Sequence, residues 1–318
     1  MGAYLLRRLV MTVIVIILIM VFLGALVHVI PGDPTTLMLG PRATPELAAE
    51  VRASMQLDRP VHEQVASFAA NALQGDLGVD FVTKTPVTEL ILQALPETLT
   101  LAFASLILAA LVGIPVGVLS AVRPNSIPDR LTAVISIALI TIPPYVAGLI
   151  LLIIFAVRLK VLPTIGSGEI SDPADYAQHL ILPVVALAVT WIGYIGRLVR
   201  ASMLEVLNAD YVRTARAYGL REGLIAYKYA LRNAIIPTIA ILGVAFGSLI
   251  GVAIFVEVIF ARPGLGTLVY DAIMSRNYPV VRGGVLVIAV LFVLANLAAD
   301  IAYQIADPRI RVRAGRGE

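Results

Sequence analysis

The residue types able to do covalent or metal chemistry are few in this chain and poorly spaced for it. Cysteine is absent and His28, His62 and His179 are scattered, which excludes disulfides, thiolate nucleophiles and thiolate metal sites. His62-Glu63 begins like a zinc helix, but Ala66 stands where the second histidine of H-E-x-x-H would fall. No glycine-rich loop ends in Gly-Lys-Ser/Thr, so ATP hydrolysis is not expected of this chain. The apolar runs hold no pair of acids suited to intramembrane proteolysis. Their isolated polar residues are Glu257, Asn296 and Asp300. Asn296 and Asp300 share a helix face at four-residue spacing. A carboxylate at mid-bilayer costs about 2.5–3.5 kcal/mol on insertion scales, and less near a helix end. Asp300 is therefore expected to pair with Arg197 or Arg200, and Glu257 with Arg262; a part in a solute pathway is the alternative for each.

One polar segment has the makings of mechanical rather than covalent chemistry. Asn208 or Asp210 can cap a helix start, and Tyr211, Arg213, Thr214, Ala215, Arg216, Ala217 and Tyr218 can continue it. Gly219, before Leu220, suits the left-handed position that stops it. A second helix over residues 222–231 is expected to follow at an angle. A basic loop lying on lipid headgroups has no need of small residues, yet Ala209, Ala215 and Ala217 alternate with the arginines. The pattern points to a rigid docking surface.

The elements that position this surface are membrane spans. Hydrophobic residues make up 59% of the 318 positions and charged residues only 14%, against roughly 25% charged in soluble domains. The net charge of +3 gives a nucleic-acid partner little support. About 20 apolar residues cross the roughly 30 Å hydrocarbon core, and six runs qualify: 9–30, 98–122, 131–157, 180–196, 235–260 and 284–306. All are expected to be helices, since an open strand leaves backbone groups unpaired in lipid. The first is too long for a secretory signal and is expected to stay as an anchor. Pro143-Pro144 is expected to break the third span. Gly243, Gly247 and Gly251 flatten one face of the fifth for close helix packing, within the subunit or against a partner.

Short connections sort by charge. Those holding both termini and the 197–233 loop carry 15 Lys and Arg, against 5 opposite once the long first loop is left out. The positive-inside rule puts that side in the cytoplasm. The expected organisation is an anchor at 1–30, an outer loop at 31–97, a five-helix core at 98–306 with the cytoplasmic loop 197–233, and a basic tail at 307–318. Within the outer loop, short amphipathic helices are expected over 45–57, over the Val61, Val65, Phe68 stripe, and over 86–95. That loop is read either as a cap on the bundle or as a platform for a soluble protein outside.

At the cytoplasmic loop the chain resembles the permease subunits of bacterial ABC importers, whose motif is Glu-Ala-Ala, three residues, then Gly. Here Arg213-Thr214-Ala215 and Gly219 align with it. The departures are similar to the dipeptide/oligopeptide branch: Tyr211–Gly219 and Leu231–Pro237 match its loop, with Tyr218 where that branch often has lysine. Ile30–Pro34, Leu57–Pro60, Gly75–Gly78, Leu95–Leu99, Val256–Phe260, Pro263–Gly266 and Tyr278-Pro279 are similar to its other segments, in order along nearly the whole chain.

The resemblance implies an all-α membrane protein with six transmembrane helices and the type I importer permease fold. It implies a plasma (inner) membrane heterodimer with a homologous second permease, two ATPase subunits and an extracytoplasmic substrate-binding protein. The coupling surface would be Asp210–Leu220. No cofactor would reside in this chain, ATP and magnesium belonging to the ATPases. Nickel, glutathione and haem cargo stay open beside peptides, as does an ATPase-independent channel or carrier.

Overall fold

The computed structural model describes residues 2–29, 59–169 and 171–306, with a few positions between 44 and 52. The expected helix over 45–57 and the basic tail lie largely outside the described residues. The described chain is helical apart from an isolated bridge between Val79 and Pro86. Its helices are α1 (Gly2–Val29), α2 (Val61–Leu73), α3 (Val87–Val122), α4 (Ile127–Thr141), α5 (Pro144–Leu151) and α6 (Pro173–Leu207). There follow α7 (Asp210–Ala217), α8 (Glu222–Leu224), α9 (Ile236–Ile259), α10 (Leu265–Met274) and α11 (Tyr278–Ala306). Two π-helical runs occur: Leu152–Arg158 prolongs α5, and Ile225–Ala230 carries α8 into a last turn at Leu231–Ala234.

Among the described residues five helices are long and apolar enough to cross a membrane, and six spans result if α4 and α5 count as one broken span. The break falls at the expected prolines. Helix α4 stops at Thr141, α5 restarts at Pro144, and the two are bent by 101°. Proline at the first position of α5 gives up a backbone donor that has no intrahelical partner there anyway. The expected helix over 86–95 is not separate. It is the first part of α3, which runs unbroken for 36 residues, or about 54 Å at 1.5 Å per residue. That exceeds a hydrocarbon core, so α3 projects beyond it. Helix α10, ten residues long, lies in a connection that hydropathy alone passed over.

By contacts the chain divides into two compact units. One comprises described residues of 2–98 and 262–293, the other 99–261 and 294–306. In the first, Leu23, Phe68, Val87, Leu265 and Val280 share a buried core. Helices α1 and α2 meet closely: a Cβ on Gly24 would lie 2.4 Å from the Val65 side chain. Two polar clamps hold this unit. The fully buried Arg262 donates to Glu97, and the Leu265 N–H donates to the Thr98 hydroxyl at 2.8 Å. Asp80 is fixed by Val82, Thr83 and Asn277. Burial alone would raise its carboxyl, but these hydrogen bonds outweigh that and hold it below the usual carboxylate range.

In the second unit, Ala109, Val118, Ala188, Ile195, Val199 and Met203 form the core between α3 and α6. Glycine permits this approach, a Cβ on Gly117 falling 2.6 Å from the Gly196 carbonyl oxygen, and also that of α6 to α4, where one on Gly193 would fall 2.6 Å from the Ser136 carbonyl oxygen. The stripe on α9 divides. A Cβ on Gly243 would sit 2.1 Å from that of Ala299 on α11, Gly247 is buried, and Gly251 has open space. Gly243 therefore packs within the subunit. Gly243→Val is expected to destabilise the purified chain by about 3 kcal/mol or more, at the upper end of overpacking effects. Gly251→Val should leave its melting temperature unchanged, and detergent-solubilised thermal melts of the two variants check both.

Candidate functional site: the α7 surface

Helix α7 is built to hold its shape. Its N-cap is Ala209, in extended conformation with no side-chain cap. The expected caps serve elsewhere: the Asn208 amide donates back to the Leu204 carbonyl at 2.9 Å, and Asp210 is already inside the helix. Asn208 closes α6, which follows from its position one residue after that helix ends. The C-terminus carries the definition that the start lacks. Leu220 N–H donates to Ala215 O at 3.3 Å and Gly219 N–H to Arg216 O at 2.9 Å. This pair of bonds is the Schellman arrangement, and Gly219 takes its left-handed place at φ +75°.

Two faces of α7 have different tasks. Val212 and Ala215 turn inward onto the fully buried Ile225, with Leu207 and Leu220 around them. Burying one such aliphatic side chain contributes about 1.5–3 kcal/mol, enough to hold an eight-residue helix that would not persist alone. Arg216 ties α7 to α8, its Nε donating to Glu222 Oε1 at 2.9 Å and its Nη2 to Oε2 at 3.4 Å. Asn233 Nδ2 donates to the Tyr211 hydroxyl at 2.9 Å. The opposite face is bare. Tyr218 is 82% exposed, and the Arg213 side chain is 77% exposed, 3.5 Å from a still more open Asp210. Thr214 turns its hydroxyl back to the Asp210 carbonyl. The exposed surface is thus two aromatic rings and a guanidinium on a fixed backbone. The run Ile225–Ala230 beneath it is π-helical, a geometry met frequently at functional sites.

The other residues singled out by sequence lie apart from α7 along the chain. Glu257 is 1% exposed near the end of α9. Asn296 and Asp300 are half-buried on α11. The pairing expected of Asp300 with Arg200 is corrected, because Arg200 is committed to Asp129. Its Nε and Nη2 lie 2.5 and 2.9 Å from the two carboxylate oxygens, the bidentate fork that guanidinium and carboxylate share. Arg197 is exposed. The same Asp129 accepts from the Ser120 hydroxyl and, at 2.8 Å, from the Asn125 N–H. This buried junction was missed in sequence, although Ser126-Ile-Pro-Asp129 reads as a helix start, and Ser126 does accept from the Asp129 N–H. Arg262 binds Glu97, a residue 165 positions earlier and a partner that the sequence did not suggest. Among the described residues no three His, Asp or Glu come together as a metal-ligand group.

The membrane-spanning helical core agrees with what the comparisons with known proteins found. Residues 113–312 match the family described as binding-protein-dependent transport system inner membrane component, and residues 1–102 match its N-terminal companion. The chain belongs to this family of ABC importer permeases. A probable peptide ABC transporter permease protein of Sinorhizobium fredii is 39% identical over 98% of this chain and 100% of its own length. A glutathione transport system permease protein of Salmonella typhimurium is 39% identical, and one of Escherichia coli 37%, each over 98% of this chain and 99% of theirs. Among solved structures, an inward-facing form of the MetNI methionine ABC transporter aligns with a TM-score of 0.58 at 23% identity. It covers 69% of this chain and 96% of that one. The fold is therefore the type I importer permease fold. The chain is a multi-pass membrane subunit of the peptide branch of these permeases, and its relatives are named as transport components.

Proposed function

We propose that this permease forms half of the translocation pathway of an ATP-driven importer of dipeptides and oligopeptides. A homologous second permease supplies the other half. An extracytoplasmic binding protein delivers cargo, and two ATPase subunits hold the ATP and magnesium, so this chain carries no cofactor. Both termini and α7 are cytoplasmic in this reading, as the 15 basic residues on that side suggest. The observation that carries the proposal is α7 itself. It is anchored on one face by Val212 and Ala215, closed at Gly219, and bare where Tyr211, Arg213 and Tyr218 point outward. A lever must be rigid against its own subunit and free toward the partner, and α7 is both.

Coupling then has a definite thermodynamic content. ATP-bound and ATP-free ATPases must contact α7 differently, or closing them shifts nothing in the membrane. Glutathione, a modified tripeptide, is a second cargo reading, favoured by the names of two relatives at 37–39% identity. The test is purification of the tagged chain from its native membranes in mild detergent, with mass spectrometry of what accompanies it. A second permease, P-loop ATPases and a binding protein are expected, with a cysteine at Tyr218 crosslinking to an ATPase. A chain that purifies alone and still moves solute in liposomes overturns the importer reading in favour of a carrier.

A further inference from the structure

The unit built from residues 2–98 and 262–293 contains a cavity of about 250 Å3 unrelated to α7. Helix α2 lines it with Ser67, Phe68 and Asn71, the following turns with Asp76 and Phe81, and the first turns of α11 with Arg282. Arg282 has an unusual setting. Its guanidinium carbon lies over the Phe68 ring, 3.8 Å from the centroid, a favourable cation–π contact. None of its N–H groups meets an acceptor among the described residues, and its Nε is wholly shielded from solvent. The acids nearby in sequence are otherwise engaged: Asp76 Oδ1 accepts from the Gly78 N–H at 2.9 Å, and Asp80 is held by Val82, Thr83 and Asn277.

A guanidinium held over an aromatic ring with its N–H groups unmatched is preorganised for an anion. The walls select which one. Phe68 and Phe81 are apolar, and Ser67 and Asn71 add neutral hydrogen-bonding groups. With one cation, Arg282, and the Asp76 carboxylate in its lining, this half-apolar pocket suits at most a monovalent, planar carboxylate carried on an organic chain, and a dianionic phosphate would lack a second positive group. The volume admits one or two amino-acid residues. Resting on the importer reading above, we propose that this cavity is a carboxylate subsite that takes a peptide-chain carboxylate, with Arg282 as its anchor. The carboxylate comes from the cargo's C-terminus or from an acidic side chain of the docked binding protein, and the two sources give different results below.

The assembled transporter, with its co-purifying subunits, is titrated calorimetrically with Ala-Ala and with Ala-Ala amide. Charge-assisted hydrogen bonds are the strong ones, so the acid is expected to bind the wild type about tenfold or more tightly than the amide. Arg282→Gln should shrink that preference below about twofold, and Arg282→Lys should keep part of it. If neither dipeptide discriminates, yet the binding protein's affinity falls about tenfold in Arg282→Gln and recovers in Arg282→Lys, the carboxylate is the binding protein's. If both measurements are indifferent to Arg282, the proposal is overturned. Phenylglyoxal labelling of wild-type Arg282, followed by peptide mass spectrometry, needs no variant. Ala-Ala or the binding protein must slow the labelling, the amide must not, and equal labelling throughout also overturns the subsite. Failure of the importer reading is seen separately, as wild-type complex without ATP-dependent uptake.

Discussion

Gly219→Val is expected to abolish ATP-driven uptake, by at least about tenfold, while the chain reaches the membrane at its normal level. A Cβ at Gly219 would meet nothing within 4 Å, so no clash contributes to the effect. What remains is the backbone: φ is +75°, and a side-chain-bearing residue held in a rare backbone region costs about 1–3 kcal/mol, with β-branched residues worst placed. The strain falls on the two hydrogen bonds that close α7 onto Ala215 and Arg216. Relieving it means unwinding the last turn, which carries Tyr218 and Leu220 away from their fixed places. Insertion is set by the apolar spans, which Gly219 does not touch. Gly219→Asn provides the internal control, since asparagine tolerates the left-handed region and should retain most uptake. Uptake in reconstituted proteoliposomes, with membrane content measured by immunoblot, decides it. Equal loss in both variants would shift the cause from backbone conformation to the exposed surface. Ala215→Glu should behave like the valine variant by a different route: it places a carboxylate on the face packed against Ile225.

What was legible in the sequence and what was not follows the range of each interaction. The spans could be read because the bilayer sets their length and each satisfies its own backbone. The break at Pro143-Pro144 and the stop at Gly219 could be read because both are decided by one residue's backbone chemistry. The stripe of Gly243, Gly247 and Gly251 announced close packing but not its partner, which is Ala299 for one glycine and open space for another. The start of α3 was misplaced because the apolar run begins only at residue 98 and the stretch before it reads as a separate amphipathic helix, yet α3 runs unbroken from Val87. The ion pairs were the least legible. Span ends placed on the same side suggested Asp300 for Arg197 or Arg200, whereas Arg200 joins Asp129, 71 positions earlier. Nothing in spacing could supply that, because the junction exists only when α3, α4 and α6 come together.

That junction should be the most sensitive polar point of the second unit. Asp129 is 3% exposed and receives Arg200, Ser120 and Asn125 at once, so its two oxygens satisfy donors from three separate segments. Asp129→Leu leaves Arg200 beside a low-dielectric core with no counter-charge. Breaking a buried pair from one side costs about 3–5 kcal/mol. Arg200 keeps a 31% exposed side chain and can turn partly to water, so about 2–3 kcal/mol is the better expectation. In a detergent melt the variant should unfold several degrees below wild type. Asp129→Asn keeps the shape and should fall between, because an amide oxygen can still accept from Asn125 but carries no charge. The double variant Asp129→Leu, Arg200→Met tests the argument most sharply. If the cost lies in an abandoned charge rather than in the space it occupies, removing both partners should recover most of the loss. Simple addition of the two single losses would instead mean that packing around Asp129 holds α3, α4 and α6 together, and that the ions only fill the junction.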